Sequence, residues 1–389
     1  MKVLSIVFSN FPNDPRPRRE AEAMVGAGHE VDMICLMREG QVPNESLYGV
    51  NVFRINIKRR RYSKTRYIWQ YFSFLCISFF MAARMQLYRR YDVIHVHNMP
   101  DFLVFSALGP KIMGAKVILD LHDPMPEVYM SKYGLSNRHF VVRALILVEK
   151  ISIGFSHIVI TPNKSFRDLF ISRGCKEDKI HIVMNSPMET IFLAEKVQKE
   201  KVENEDESFR IMFHGFITKH NGLHLALEAI SIARKNIPNI RFDIFGSAEN
   251  AEDLIEYAKG LQLDQIVRFH GPVSLDVIAE CIANTHLGII PNLKTPFTEI
   301  NFPTRIFEYL CLKKPVIAPR TQGILDYFDR DSICFFEPGN AESLAHAIIE
   351  LWKDTKKREQ YVSRGYPIYF NHRWELQKQR LIELIEGTA

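Results

Sequence analysis

The residues best suited to chemistry lie in the run Asn301-Phe302-Pro303-Thr304-Arg305-Ile306-Phe307-Glu308. Proline suits the first turn of a helix, where its missing N–H goes unused. Ile306, Phe307, Leu310 and Leu312 then supply an apolar stripe at roughly helical spacing. A short helix is therefore expected to start near Pro303. Lys313 and Lys314 fall at its C-terminal end, where positive charge is tolerated, and Val316-Ile317-Ala318 reads as a brief buried strand closed by Pro319. Glu308 is the odd residue of that helix. Its carboxylate lies either on a solvated face or in a cleft as an acceptor, and spacing leaves both readings open, since charged residues usually lie exposed. A second set sits where apolar runs end. Tyr91 to His97 and Ala115 to His122 read as strands. Ligands of an open parallel sheet bind beyond the carboxyl ends of its strands, so His97, Asn98, His122 and Asp123 are candidates by position. Each histidine alone is as readily structural; two at equivalent strand ends favour function.

The elements that position these residues follow a repeating rhythm. Val3 to Phe8 reads as a strand, Ser9 to Pro17 as a loop, about Arg18 to Gly26 as a helix and Val31 to Leu36 as a second strand, which is the opening of a parallel α/β unit. The loop carries no GxGxxG, so a dinucleotide fingerprint is absent where it would have to be. A helix from about Phe102 to Met113 separates the next strands. A helix from about Asn137 to Phe155 precedes strands at His157 to Thr161 and Ile180 to Met184. Residues 194–208 are highly charged without an apolar period and form the best linker in the chain. Beyond them strand and helix alternate again from Phe209, with a loop from Gly215 to Gly222 and a strand from Ile240 to Phe245 that ends at Gly246. The expected organisation is two α/β domains, 1–193 and 209–365, with residues 366–389 as a terminal helix crossing back to the first domain.

Composition sets limits. With 389 residues, 47% hydrophobic and 24% charged, the chain is globular and too long for one ordinary core. Six cysteines fall singly, with no CxxC pair, which favours reduced thiols in a cytosol. No cleavable signal pattern is expected, because Lys2 leads straight into a strand. Residues 1–200 carry 28 Lys and Arg against 19 Asp and Glu, and residues 51–90 carry ten basic residues and no acid. Between the two basic groups of that segment, Tyr67 to Ala83 is aromatic and apolar. At 17 residues it falls below the ~20 that a spanning helix needs, so it is not read as transmembrane. It is either an interfacial anchor on an anionic leaflet or a domain helix packed on a sheet. No nucleic-acid motif accompanies the basic cluster, so nucleic acid is not an expected partner.

Taken together, several motifs resemble the family 4 glycosyltransferases. They are Asp14-Pro15-Arg16, Gly28-His29-Glu30-Val31, Leu121-His122-Asp123, His214-Gly215 with Asn221-Gly222, Phe245-Gly246, Val267 to Gly271, Pro303-Thr304-Arg305 and Phe307-Glu308-Tyr309. That family comprises retaining enzymes of the GT-B architecture, in which two Rossmann-like domains face each other across a central cleft. Asp120 to Glu127 looks like the branch that builds bacterial surface polysaccharides. The resemblance implies transfer of a sugar from a nucleotide-diphosphate donor, UDP-sugar favoured and GDP-sugar possible, to a lipid-linked saccharide. It implies a cytoplasmic enzyme peripheral to the inner face of the membrane. No metal or other cofactor is implied, and the sequence shows no DxD to hold a metal. Under it, Glu308 accepts the ribose hydroxyls, and His122 and Glu299 stand at the catalytic positions, with His122 against the transferred sugar. Gly215, Lys219, His220, Asn221, Gly246, Arg268, Asn301, Phe302, Pro303, Thr304 and Arg305 bind the donor. Asn10, Arg16, His97, Asn98 and Asp123 lie on the acceptor side. Phe216 and Asn221 stand where many relatives carry the Arg and Lys of a diphosphate clamp, so Lys219, His220 or Arg305 are the replacements. Glu299 and Glu308 are separated by eight residues where the family's pair is separated by seven. Two other readings share this architecture, a nucleotide-sugar 2-epimerase and a non-catalytic nucleotide-sugar-binding subunit.

Overall fold

The computed structural model describes residues 1–57, 64–192, 208–247 and 251–387. Arg59, Arg60 and Arg61 of the basic cluster, and all of the expected linker except Ser208, lie outside the described residues. The chain divides into two units, Met1–Asn185 with Glu375–Ala389, and Ser186–Trp374.

The first unit is built on an eight-stranded sheet. Its strands are β1 (Lys2–Asn10), β2 (Glu30–Leu36), β3 (Asn44–Leu47), β4 (Val50–Ile55), β5 (Val93–His97), β6 (Lys116–Asp120), β7 (Ile158–Thr161) and β8 (Ile180–Ile182), in the order β3-β4-β2-β1-β5-β6-β7-β8. Every neighbouring pair is parallel except β3 with β4. Val3, Leu4, Ile6, Val7 and Phe8 are all buried, the near-continuous apolar run expected of a strand covered on both faces. Strand order reverses at β1, with β2 and β4 to one side and β5 and β6 to the other. Such a reversal opens a crevice at the carboxyl ends of the flanking strands, and this is where Asn10, His97 and Asn98 fall.

The hairpin β3–β4 gave no sequence signal, because Asn44-Glu45-Ser46-Leu47 is polar. Its two-residue turn places Tyr48 at φ 54° and Gly49 at φ 76°, as a tight hairpin requires. The basic, aromatic segment forms the helix Lys64–Arg89. Gln70, Tyr71, Phe74, Ser78, Ala82 and Gln86 make its buried stripe, and both Tyr71 and Phe74 pack their rings on Phe8 of β1. Trp69, Phe72, Ile77, Phe80, Leu87 and Tyr88 remain exposed, so the helix both packs on the domain and presents an apolar face. Among the described residues no helix is long and apolar enough to cross a membrane.

The second unit repeats the plan with β9 (Phe209–His214), β10 (Ile240–Phe245), β11 (Val267–Gly271), β12 (Leu287–Ile289), β13 (Val316–Pro319) and β14 (Cys334–Phe336), all parallel, in the order β11-β10-β9-β12-β13-β14. Its core joins Phe209, Ile211 and Phe213 of β9 and Phe242 and Ile244 of β10 to the helices Leu223–Ala233 and Ala341–Lys353. Here the order reverses at β9. The helix expected from Pro303 spans Arg305–Cys311, entered through a turn in which the Ile306 N–H donates to the Pro303 carbonyl at 3.0 Å. The helix expected over about Phe102 to Met113 is a 3-10 turn Asp101–Ala107 followed by a short α-helix Leu108–Ile112. Thr355–Asn371 is a further helix; its charged opening and internal Pro367 hid it, so the boundary expected at 365 falls inside a continuous element. The chain passes to the first unit only at Glu375, within the terminal helix Trp374–Glu386.

Candidate functional site

In the second unit, the carboxyl ends of β9, β10 and β12 bring together Gly215, Gly246, His214, Asn292, Arg305 and Glu308. Gly246 has φ 141°, and a Cβ there would lie 1.8 Å from the Gly215 carbonyl oxygen. Gly215 has φ 120° and packs against the Arg305 side chain. Both glycines therefore hold positive-φ backbone that L side chains rarely adopt, and Gly246 lets the ends of β9 and β10 approach closely. Glu308 does not lie on a free solvated face. One carboxylate oxygen is hydrogen-bonded to His214 Nε2, and that imidazole is 5% exposed. His214 Nδ1 lies 3.1 Å from the Tyr309 hydroxyl, which donates to the Met212 carbonyl at 2.8 Å. The Glu308 carboxylate is thus held from beneath by a buried chain and is 15% exposed above it.

Arg305 is the cation of this group. It donates to the His214 carbonyl at 2.8 Å, reaches Asn292 Oδ1 at 3.5 Å, and stacks over the Phe213 ring at 4.5 Å. Burial pulls its pKa down, while Tyr309 and Glu308 act against that. His220 is half-buried beside it and is held below its ordinary pKa by burial and by the Arg305 charge. Asn221 spends its side chain on a capping box, accepting from Thr218 N at 3.0 Å and Thr218 Oγ1 at 2.6 Å, so it shapes the loop. Gly222 is also required, since a Cβ there would meet the Pro291 carbonyl oxygen at 2.0 Å.

Pro303 and Thr304 form the turn that enters the Arg305 helix. Of the other expected donor residues, Lys219 is exposed. Glu299 pairs with Lys294 at 3.2 Å, and Phe302 is buried against Phe307, Tyr327 and Phe328 as core. Asn301 belongs to a loop whose backbone closes on Gly323, and Pro303 is buried with Phe302 ahead of half-buried Thr304. Arg268 is exposed on the edge strand β11, two residues before His270, whose ring stacks on Phe245 at 4.2 Å. His214 stood in a recognised motif beside Gly215 but was not singled out. Tyr309 likewise lay in a recognised motif without a role of its own, and Asn292 carries no local signal, because their partners are distant in sequence.

In the first unit a buried polar cluster lies at the ends of β1, β5 and β6. Arg16 donates to Asp120 through Nε at 3.0 Å and Nη2 at 2.8 Å, and also to the Val183 carbonyl and Asn185. It is 5% exposed, so the acceptor-side role expected of it gives way to a structural one: its donors are spent inside the protein. Asn10 likewise donates to the Leu36 carbonyl at 3.1 Å. His97 lies between Ser5 Oγ at 3.0 Å and His122 Nε2 at 3.1 Å, and His122 Nε2 lies 3.1 Å from Asp120 Oδ2. Asn98 binds the His122 N–H, the Asp123 carbonyl and Asp101. Burial raises the Asp123 carboxyl. Asp120 and Glu20 are the residues that sequence reading missed; Asp120 shares the strand face of His122, whereas Glu20 gives no sign within its helix.

Glu20, His95, His97 and Asp120 offer ligand atoms within 4.8 Å of one another, the disposition of a metal site. Arg16 already places its charge on the carboxylates of this quartet, 3.1 Å from Glu20 and 2.8 Å from Asp120. A divalent cation beside that guanidinium would be repelled, so the quartet reads as a buried cluster ion-paired to Arg16.

Behind Asn98, Arg173 faces three buried carboxyls and is the one cation bonded to them among the described residues. It is bonded to Glu127 and Glu149, and Asp101 lies nearby. One guanidinium cannot offset three charges. Burial raises Asp101 to about 7 and Glu149 to about 8. In the unfolded chain such carboxyls lose their protons near pH ~4. The folded state therefore binds more protons between that pH and 7 to 8, and stability falls as pH rises through the window, then levels. Glu149→Gln removes one such group, so the urea-derived stability of that variant relative to wild type is expected to rise between about pH 5 and about pH 8.5, by an amount on the order of 1–3 kcal/mol.

Two family models match the chain in succession: Glycosyltransferase Family 4 over residues 18–186 and Glycosyl transferases group 1 over residues 194–367. No curated protein matches it in sequence. Similar solved structures include sucrose-phosphate synthase from Thermosynechococcus elongatus, 15% identical with a TM-score of 0.78, covering 100% of this chain and 98% of that one. HepE of Anabaena, in complex with UDP and glucose, is 17% identical with a TM-score of 0.73 and full coverage of both chains. WaaG, a glycosyltransferase involved in lipopolysaccharide biosynthesis, is 12% identical with a TM-score of 0.74, covering 99% of this chain and 100% of that one. At these identities the likeness is one of fold.

Proposed function

We propose that this chain, a glycosyltransferase of GT-B fold with a family 4 domain followed by a group 1 domain, moves a sugar from a nucleotide-diphosphate donor to a lipid-linked saccharide with retention of configuration. The observation that carries the reading is the Glu308 carboxylate, held by buried His214 beside Arg305 and two side-chain-free backbone positions. A fixed carboxylate suits two vicinal hydroxyls, as on a ribose, and a partly buried guanidinium suits a diphosphate. Retaining transfer asks the protein mainly to stabilise the leaving diphosphate, and the Arg305 guanidinium with neighbouring His220 supports that reading. The UDP and glucose carried by the HepE structure make a UDP-sugar the favoured donor.

The lipid-linked acceptor, a role in surface polysaccharide synthesis and a peripheral place on the inner face of the membrane rest on the helix Lys64–Arg89. Phe80 is 69% and Trp69 65% exposed there, and Arg84, Arg89 and Arg90 are exposed as well. An apolar face flanked by cations fits an anionic leaflet. The involvement of WaaG in lipopolysaccharide biosynthesis supports the same reading. Full-length protein incubated with UDP- or GDP-sugars and a membrane lipid extract should yield a glycosylated lipid with the donor's anomeric configuration. An inverted product would overturn retention, and interconversion of the free donor without acceptor would show an epimerase instead. Co-sedimentation with anionic vesicles should decline as salt rises and fall with Trp69→Ser/Phe80→Ser; unchanged binding by that variant removes the membrane role.

A further inference from the structure

We infer that Asp120 is a positioning residue for His122: it fixes the imidazole as the Nε2–H tautomer and leaves Nδ1 as a hydrogen-bond acceptor for a hydroxyl of the bound sugar. The sugar contact rests on the proposed function, whereas the tautomer is a property of the free protein.

The backbone at His122 is clamped first. Its N–H donates to Asn98 Oδ1 at 2.8 Å, while Asn98 Nδ2 donates to the Asp123 carbonyl at 2.8 Å and to Asp101 at 2.9 Å. Asn98 is 5% exposed, so the loop that carries the ring has little room to shift. The ring is then fixed through one atom. Nε2 lies 3.1 Å from Asp120 Oδ2 and 3.1 Å from His97 Nδ1. Burial alone would raise the Asp120 carboxyl, but the Arg16 guanidinium, doubly bonded to it, together with His122 and His97 outweighs burial and holds the group well below the usual carboxylate range. An ionised carboxylate only accepts, so the atom facing it must bear hydrogen.

His97 does not reverse this. Its Nε2 lies 3.0 Å from the Ser5 hydroxyl, which can donate or accept. If Ser5 donates, His97 Nδ1–H turns toward Asp120 Oδ2, 3.5 Å away, and His122 Nε2–H still donates to Asp120. If Ser5 accepts, His97 Nδ1 presents a lone pair, and the His122 proton is shared between it and Asp120. The remaining arrangement has His97 Nδ1–H donating to an unprotonated His122 Nε2. That sets a lone pair against the carboxylate at 3.1 Å, which is repulsive. His122 Nδ1 has no partner among the described residues, and the side chain is 18% exposed, so this atom is left for a ligand.

An acceptor nitrogen selects for a donor sugar that carries a hydroxyl opposite it, and a deoxy or O-methyl sugar leaves it unpaired. The test is a long-range ¹H–¹⁵N spectrum of full-length, deuterated, ¹⁵N-histidine-labelled protein without ligand, with the ring assigned by loss of its signals in His122→Gln. Nε2 is expected as the protonated nitrogen and Nδ1 as the bare one. Nδ1–H in the wild-type protein overturns the inference whatever the activity. Asp120→Asn, whose amide can donate, should shift the population toward Nδ1–H; if that variant does not fold, the wild-type spectrum decides alone. With the tautomer as stated, His122→Gln is expected to lower kcat/KM by at least about tenfold. Wild-type transfer by His122→Gln would overturn the sugar contact, while the tautomer stands.

Discussion

Glu308→Ala is expected to lower kcat/KM for the nucleotide-sugar donor by roughly 10²–10⁴-fold, with the far-UV circular dichroism spectrum unchanged. Two hydroxyls donating to one ionised carboxylate are each worth ~1.5–3 kcal/mol, and both are lost together. Part of the effect comes from beneath. His214, 5% exposed, keeps its bond to Tyr309 but loses the carboxylate at Nε2. Because these bonds form with bound donor as well as at the transition state, the loss should fall more on KM than on turnover. Glu308→Gln keeps the shape and one acceptor and should fall between. A kcat/KM within twofold of wild type for the Ala variant would falsify the assignment of this carboxylate to the donor.

Arg16→Met is expected to destabilise the protein by about 3–5 kcal/mol, read as a lower denaturant midpoint. Its guanidinium is the counter-charge for Asp120 and Glu20, both fully buried, and removing one partner of a buried network strands the other. Burial already pushes Glu20 well above its ordinary pKa, and Arg16 pulls it back. Arg16→Lys should recover little, because an ammonium cannot reproduce the paired Nε and Nη2 bonds to Asp120. Adding Asp120→Asn to Arg16→Met should restore part of the loss, since the pair is coupled. A variant of wild-type stability that fails only in acceptor use would return Arg16 to the acceptor side.

Much of this protein can be read directly from its sequence. Apolar runs such as Val3 to Phe8 and Phe209 to Phe213 mark buried parallel strands, because a strand covered on both faces has no polar alternation to confuse it. Gly215, Gly222 and Gly246 announce backbone that no side chain fits. The polar ends of β5 and β6 point to His97, Asn98 and His122, and the motif resemblance, rather than spacing, brings in Glu308 and Arg305.

The local pattern could not say what each polar residue touches. Arg16 and Asp120 are 104 residues apart, and His214 and Glu308 are 94 apart, so their pairings exist only once the sheets form. That distance turned Arg16 from a ligand contact into a counter-charge. It also packed the Phe302 ring in the core, paired Glu299 with Lys294, and set a buried imidazole behind the Glu308 carboxylate. Sequence determined the elements, because helix hydrogen bonds and the apolar patterns of helices and strands are set within a few residues, while strand pairing is not. Tertiary structure decided the electrostatics, because a charge's partner and burial depend on chain brought in from elsewhere.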